Sequence, residues 1–249
     1  MNKTDGLKLA GHYNIYDEST DYWTDGEKVY FKEYVIKGAD IDSFIHYRGS
    51  WAVDKKSCFI VGSKLSNADR ESFEVLNITY AKDKHSVWTL GGKIKDADAE
   101  SFEVCDDGKD YMQPIVRAWQ GETYTGFIPS GYGKDKDNVY HYDYSGKANI
   151  VKGASPETFC SLNNGYYGYD DKNVFYTIYR LTKANPKSWN MLKDGYFYSK
   201  DKYIYYFNRM IKEADAETFE VIVNKNKEQY AKDKNHYYRC ELITEEMKM

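Results

Sequence analysis

Tyr80-Ala81-Lys82-Asp83-Lys84-His85-Ser86-Val87-Trp88-Thr89 reads as a complete β-hairpin. Two short runs of aromatic, apolar and β-branched residues flank a polar reversal, and the Asp83 carboxylate can accept a backbone N–H two residues on, which starts the turn. The same pattern recurs on a ruler of aspartates: Asp25, Asp54, Asp83, Asp135, Asp170, Asp201 and Asp233. Three residues before each stands Tyr22, Trp51, Tyr80, Tyr132, Tyr167, Tyr198 or Tyr230, and five residues after each stands Tyr30, Phe59, Trp88, Tyr140, Phe175, Tyr206 or Tyr238. In a chain that is 17% aromatic, two columns without an exception identify a tandem repeat.

The second half of the unit is as regular. An apolar anchor (Ile36, Leu65, Ile94, Val151, Leu181, Ile211) leads to an Ala column at Ala39, Ala68, Ala97, Ala154, Ala184 and Ala214. Next come Asp40, Asp69, Asp98, Ser155, Asn185 and Asp215, the residue types favoured at a helix N-cap. Pro156 and Pro186, each in the first position after the cap, support that reading. A Ser or Thr then precedes a core aromatic, Phe44, Phe73, Phe102, Phe159, Trp189 or Phe219, after which the chain returns to strand. The expected fold is all-β with short helical turns, a tandem array of about seven hairpin repeats of about 30 residues, open and superhelical or propeller-like. Units this short favour the open form, because four-stranded propeller blades usually need about 40 residues or more.

Successive aspartates are spaced 29, 29, 52, 35, 31 and 32 residues apart, so the long interval holds an insertion, residues 106–130. Residues 1–21 are expected to form an N-terminal cap segment and 22–249 the repeat domain. The consensus Y-x-K-D-K-N-x-V-Y followed by K-I-x-x-A-D-A-x-[ST]-F resembles the DKNYY family of bacterial repeat proteins. Ala231-Lys232-Asp233-Lys234-Asn235-His236-Tyr237-Tyr238 and Tyr80-Ala81-Lys82-Asp83-Lys84 carry the likeness, which extends from about Tyr22 to Tyr238. The first copy, Asp25-Gly26-Glu27-Lys28, and the insertion depart from the pattern. The resemblance implies the architecture and brings no catalytic motif.

Composition excludes several functions. A net charge of -4 disfavours nucleic-acid binding and charge-driven membrane binding, both of which need a basic face. Residues 1–11 lack an apolar core of the kind a secretory signal or membrane span requires, so a cytoplasmic location is expected. Cys58, Cys105, Cys160 and Cys240 form no CxxC pair and read as buried thiols. No metal or cofactor is expected: Asp135 is followed at the sixth and twelfth positions of an EF-hand loop by Tyr140 and Gly146, not Gly and Glu. The five histidines share no column and form no HExxH, and no GxSxG, P-loop or GxGxxG occurs. Carboxylates that recur in every copy are turn and cap residues, whereas a catalytic pair would appear once.

Function is thereby pushed onto departures from the repeat. Tyr111, Trp119, Tyr124 and Phe127 in the insertion are the candidate binding residues, because long loops on a rigid scaffold carry recognition. The expectation is a non-enzymatic cytosolic protein-binding module, in its most specific form an immunity-type partner that neutralises a bacterial toxin. The alternative is a carbohydrate or cell-envelope-fragment binding module that uses exposed aromatics.

Overall fold

Each turn-opening aspartate sits in the middle of a small antiparallel meander. The computed structural model describes residues 22–47, 51–106, 112–117, 122–127, 130–143, 146–192, 197–223 and 229–244, with 112–117 and 122–127 described by backbone alone. In the third copy the strands are Glu74–Val75, Tyr80–Lys82, Val87–Thr89 and Gly92–Lys93, hydrogen-bonded in that order. The middle pair is the expected hairpin, with Trp88 opposite Ala81 and Val87 opposite Lys82. Among the described residues six sheets have four strands and the first has three, Tyr22–Thr24, Val29–Phe31 and Tyr34–Val35. None of these sheets closes into a barrel.

The outer strand is the element that the hairpin reading lacks. Four strands fit into about 30 residues because most are only two or three residues long, so unit length does not limit each copy to a hairpin. The apolar anchor follows this strand: Ile36, Leu65, Ile94 and Leu181 each donate their N–H to the carbonyl of the first residue in the strand before it, all at 2.8 Å. Past it, the expected helical turn shrinks. Ile41–Ser43 is a single 3₁₀ turn, and the equivalent segments of the other copies are plain turns, too short for an α-helical hydrogen-bond ladder.

The chain divides into two units, Met1–Ile150 with Asn163–Tyr166, and Val151–Leu162 with Tyr167–Met249. Within the first, Phe44 lies 5.5 Å from the rings of both Tyr22 and Phe59, and Phe102 lies 5.4 Å from Tyr80 and 6.1 Å from Tyr140. Within the second, Phe219 lies between Tyr198 and Tyr238 at 5.4 and 5.5 Å. Phe44, Phe102 and Phe219 thus each join one sheet to the next within their unit. The seat of the core aromatic is a column of small residues two before the ruler Asp: Ala52, Ala81, Gly133, Gly168, Ser199 and Ala231, all buried. A Cβ added to Gly133 would stand 2.4 Å from Phe102 Cζ, and one on Gly168 2.4 Å from Phe159 Cζ.

The sixth copy corrects one column. Asp201 N–H bonds the Tyr203 carbonyl, so this turn is one residue shorter than the others, and Tyr205 pairs with Ser199 where Trp88 pairs with Ala81. Tyr205, fully buried, is the counterpart of Trp88, and Tyr206 is displaced to the next position, opposite Tyr198. The cysteines need correcting too. Cys58 is buried, and burial raises its thiol to about 11; Cys105 is half-buried, whereas Cys160 and Cys240 are exposed. Cys160 follows Phe159 on the solvent face that Glu74, Glu103 and Glu220 occupy elsewhere, and Cys240 sits in a tight turn with φ 58°.

Candidate functional site

The recurring carboxylates were candidates for chemistry, and their geometry accounts for them structurally. One oxygen of the ruler Asp closes the turn: Asp83 Oδ1 accepts from His85 N and Ser86 N at 2.7 and 2.8 Å, and Asp135 Oδ1 from Asp137 N and Asn138 N in the same way. The other reaches back to the preceding linker. Oδ2 of Asp54, Asp83, Asp135, Asp170, Asp201 and Asp233 accepts the backbone N–H of Asp40, Asp69, Asp98, Ser155, Asn185 and Asp215, at 2.6 to 3.0 Å. Tyr140 and Tyr238 add a hydroxyl to that same oxygen at 2.8 Å. Five of these six latch carboxylates are buried, and each accepts three or four hydrogen bonds from the chain itself, so their acceptor capacity is mostly spent on holding the fold.

The cap carboxylates are equally occupied. Asp69 accepts from Ser72 N and Oγ, Asp98 from Ser101 N and Oγ, and Asp215 from Thr218 N and Oγ1. The hydroxyls then accept from the residue after the next ruler Asp: Lys84 N to Ser72 Oγ, Lys136 N to Ser101 Oγ, Lys234 N to Thr218 Oγ1. Hydrogen bonds from Lys84 and Lys234 are the main reason that Asp69 and Asp215 are pulled down to about 2, and Lys136 lowers Asp98 likewise. Sequence order explains why these links were not foreseen: they span 12 to 38 residues.

The aromatic column before the ruler is also spent internally. Trp51 Nε1 donates to Ile78 O, Tyr80 Oη to Gly131 O, Tyr132 Oη to Tyr166 O and Tyr198 Oη to Cys240 O. These rings are buried, and their polar tips bond backbone carbonyls 27 to 51 residues further along the chain.

At the insertion, Asp106 and Ser130 belong to the scaffold. Asp106 is buried and its Oδ2 accepts Tyr132 N, while Ser130 Oγ donates to Gly165 O. Between them Met112–Arg117 and Glu122–Phe127 form a two-stranded hairpin, with Tyr124 opposite Ile115 and Phe127 opposite Met112. Tyr111 and Trp119 lie outside the described residues, and Tyr124 and Phe127 are placed by backbone only.

What sequence reasoning missed is the set of exposed apolar residues on the outer strands of the individual sheets. Tyr34 (73% exposed), Leu242 (66%), Tyr179 (54%), Ile243 and Ile150 stand on them, and each of these strands pairs on one side only among the described residues. Residue type does not mark these strands in the sequence: each follows a residue of positive φ, at Lys32, Gly146, Thr177 or Cys240, and of those only Gly146 is a glycine. Among the described residues no group of three His, Cys, Asp or Glu side chains could hold a metal ion, and no helix is long and apolar enough to cross a membrane.

Comparison with known proteins agrees with the repeat ruler. The model of the DKNYY family matches residues 51–208 and 197–249, and no curated protein and no solved structure matches the chain.

Proposed function

The chain belongs to the DKNYY family, and from that premise we propose that it is a non-enzymatic protein-binding scaffold, in its most specific form an immunity-type partner that neutralises a bacterial toxin in the cytoplasm. The observation that supports this reading is the internal use of the recurring polar groups. Ruler carboxylates, cap carboxylates and linker hydroxyls all hold copies together, so the repeat supplies rigidity and no reactive group. Recognition then falls to what the repeat does not require: the hairpin between Met112 and Phe127, and the exposed outer-strand residues Tyr34, Tyr179, Leu242 and Ile243.

A sugar-binding reading draws less support, because it needs rings stacked in the open. Trp51, Tyr80, Tyr132, Tyr167 and Tyr198 are at most 1% exposed and cannot face a sugar.

Affinity purification after gentle lysis and brief cross-linking tests the proposal. A stoichiometric heteromeric complex is expected, and co-expression should restore growth to cells producing the toxic partner. Recovery of monomeric, partner-free protein alone would overturn it.

A further inference from the structure

The sixth copy breaks the charge rule of the linker. In four copies the residue after the ruler Asp is a lysine whose ammonium rests on the cap carboxylate: Lys55 on Asp40 at 2.7 Å, Lys84 on Asp69 at 2.6 Å, Lys136 on Asp98 at 2.8 Å and Lys234 on Asp215 at 2.9 Å. The fifth copy has Ser155 at the cap and Asp171 in place of the lysine, so neither partner is stranded. The sixth copy has Asn185 at the cap yet keeps Lys202.

Asn185 preserves the latch, since its N–H still reaches Asp201 Oδ2 at 2.8 Å, but it offers Lys202 no carboxylate. The ammonium lies instead 5.9 Å from the centre of the Tyr203 ring. Lys183 approaches the same ring to 5.5 Å, from a backbone with φ 66°. The shortened turn brings Tyr203 to this place, as its carbonyl accepts Asp201 N–H. Asp201, next to Lys202 in the chain, accepts from Tyr203 N and Asn185 N. Lys183, Lys187 and Lys202 are all exposed. Three departures, in cap, turn length and turn residue, thus converge on one aromatic ring flanked by two ammonium groups.

We propose that Lys183, Tyr203 and Lys202 form a docking point for an acidic segment of a partner protein, whose carboxylates bridge the two ammonium groups at the ring. The inference rests on the protein-binding reading above and names the chemistry of the partner. Charge complementarity carries it: on a chain of net charge -4 this copy sets two lysines at one ring, where four of its siblings pair the corresponding lysine with a carboxylate. So few cations in an acidic chain cannot track a nucleic-acid backbone, whose binding depends on many neutralised phosphates.

The test is fluorescence anisotropy of a labelled deca-glutamate peptide with the full chain, at about 50 mM and about 500 mM salt. Binding is expected at low salt and lost at high salt. Lys183→Ala with Lys202→Ala should weaken it about tenfold or more, and Asn185→Asp should do the same by drawing Lys202 into the ion pair of the other copies. Lys64→Ala with Lys93→Ala, two exposed lysines on outer strands, should leave it unchanged. The proposal falls if the peptide does not bind, if it binds the double alanine variant equally well, or if oligo-thymidylate of equal charge binds more tightly. A natural partner captured undiminished by Lys183→Glu with Lys202→Glu would sink this docking point and leave the protein-binding reading standing. Capture of no partner by the unaltered chain would sink that reading itself.

Discussion

Asp25 and Asp83 stand in the same column and close the same turn, but the first is exposed and the second buried. Asp25 Oδ1 accepts Glu27 N and Lys28 N, as Asp83 Oδ1 accepts His85 N and Ser86 N. They differ at the other oxygen. Asp83 Oδ2 holds the N–H of Asp69 across 14 residues, whereas Asp25 Oδ2 holds the hydroxyl of its own neighbour Tyr30. The small-residue seat differs in parallel: Trp23 occupies it in the first copy, stacked at 4.1 Å on Tyr30, where Ala81 occupies it in the third. A column therefore has two meanings. Within a copy it makes a turn; between copies it makes the joint.

The comparison breaks most sharply at the latch itself. Asp83→Ala strands three backbone donors, those of Asp69, His85 and Ser86, in a buried setting, and should cost about 3 to 5 kcal/mol. Asp25→Ala leaves its donors open to water and should cost far less than Asp83→Ala. Urea unfolding of the two variants measures the difference, and equal losses would refute a joint role for Oδ2.

Acid should separate the copies next. His141 in the fourth copy occupies the position of Phe31 in the first, six residues after the ruler Asp. Its ring is buried, Nε2 donates to Gly165 O at 2.8 Å, and burial lowers its pKa to about 4 against the opposing pulls of that carbonyl and Asp143. Above about pH 6.5 neither the folded nor the unfolded chain protonates this ring. Between 6.5 and 4 only the unfolded chain does, so stability falls as pH falls, by about 3 kcal/mol in all, and the loss levels off below 4. His141→Gln keeps a donor and should flatten that slope in unfolding experiments from pH 7 to 4.5. Asp25, Asp69 and Asp215, held at about 2, lose their contributions only below the ordinary carboxylate range and do not obscure the window.

How much of this was legible follows from the reach of each interaction. The Asx turn, the caps and the three aromatic columns are visible in the sequence because donor and acceptor, or cap and hydroxyl, lie within five residues. The latch is not, since the residue that fills Asp83 Oδ2 contributes a backbone N–H and leaves no mark on residue type. The small seat was visible and overlooked: Ala52, Ala81, Gly133, Gly168, Ser199 and Ala231 form a column that only Trp23 of the first copy breaks. The shift of Tyr205 into the place of Trp88 was hidden by Tyr206 beside it, which satisfies the spacing count equally well. Of the insertion, sequence reading located an aromatic segment, and its hairpin pairing is what the structure adds.

That seat sharpens the comparison at intermediate size. Gly133→Ala places a methyl group 2.4 Å from Phe102 Cζ and should cost about 1 to 3 kcal/mol as the ring is forced from its position. Ala81 already carries that methyl in the third copy, in one packed cluster with Phe73, so the same side chain is native in one copy and should be costly in its neighbour. Thermal unfolding of Gly133→Ala together with Phe102→Leu checks the cause: the smaller side chain should recover part of the loss caused by the glycine substitution, measured against Phe102→Leu alone.

The smallest effect expected is in the ion pair beside the latch. Lys84 and Asp69 approach to 2.6 Å, but the lysine side chain is 55% exposed, so Coulomb attraction is shared with water and the ordering of a long side chain opposes it. Lys84→Met should lower stability only slightly, far less than Asp83→Ala, and the difference should vanish near 1 M salt, where screening acts over about 3 Å. Asp83→Ala should be nearly insensitive to the same salt, because its loss is one of buried hydrogen bonds. If Lys84→Met matched Asp83→Ala, the joint between copies would be the surface ion pair, and the buried carboxylate would be only its neighbour.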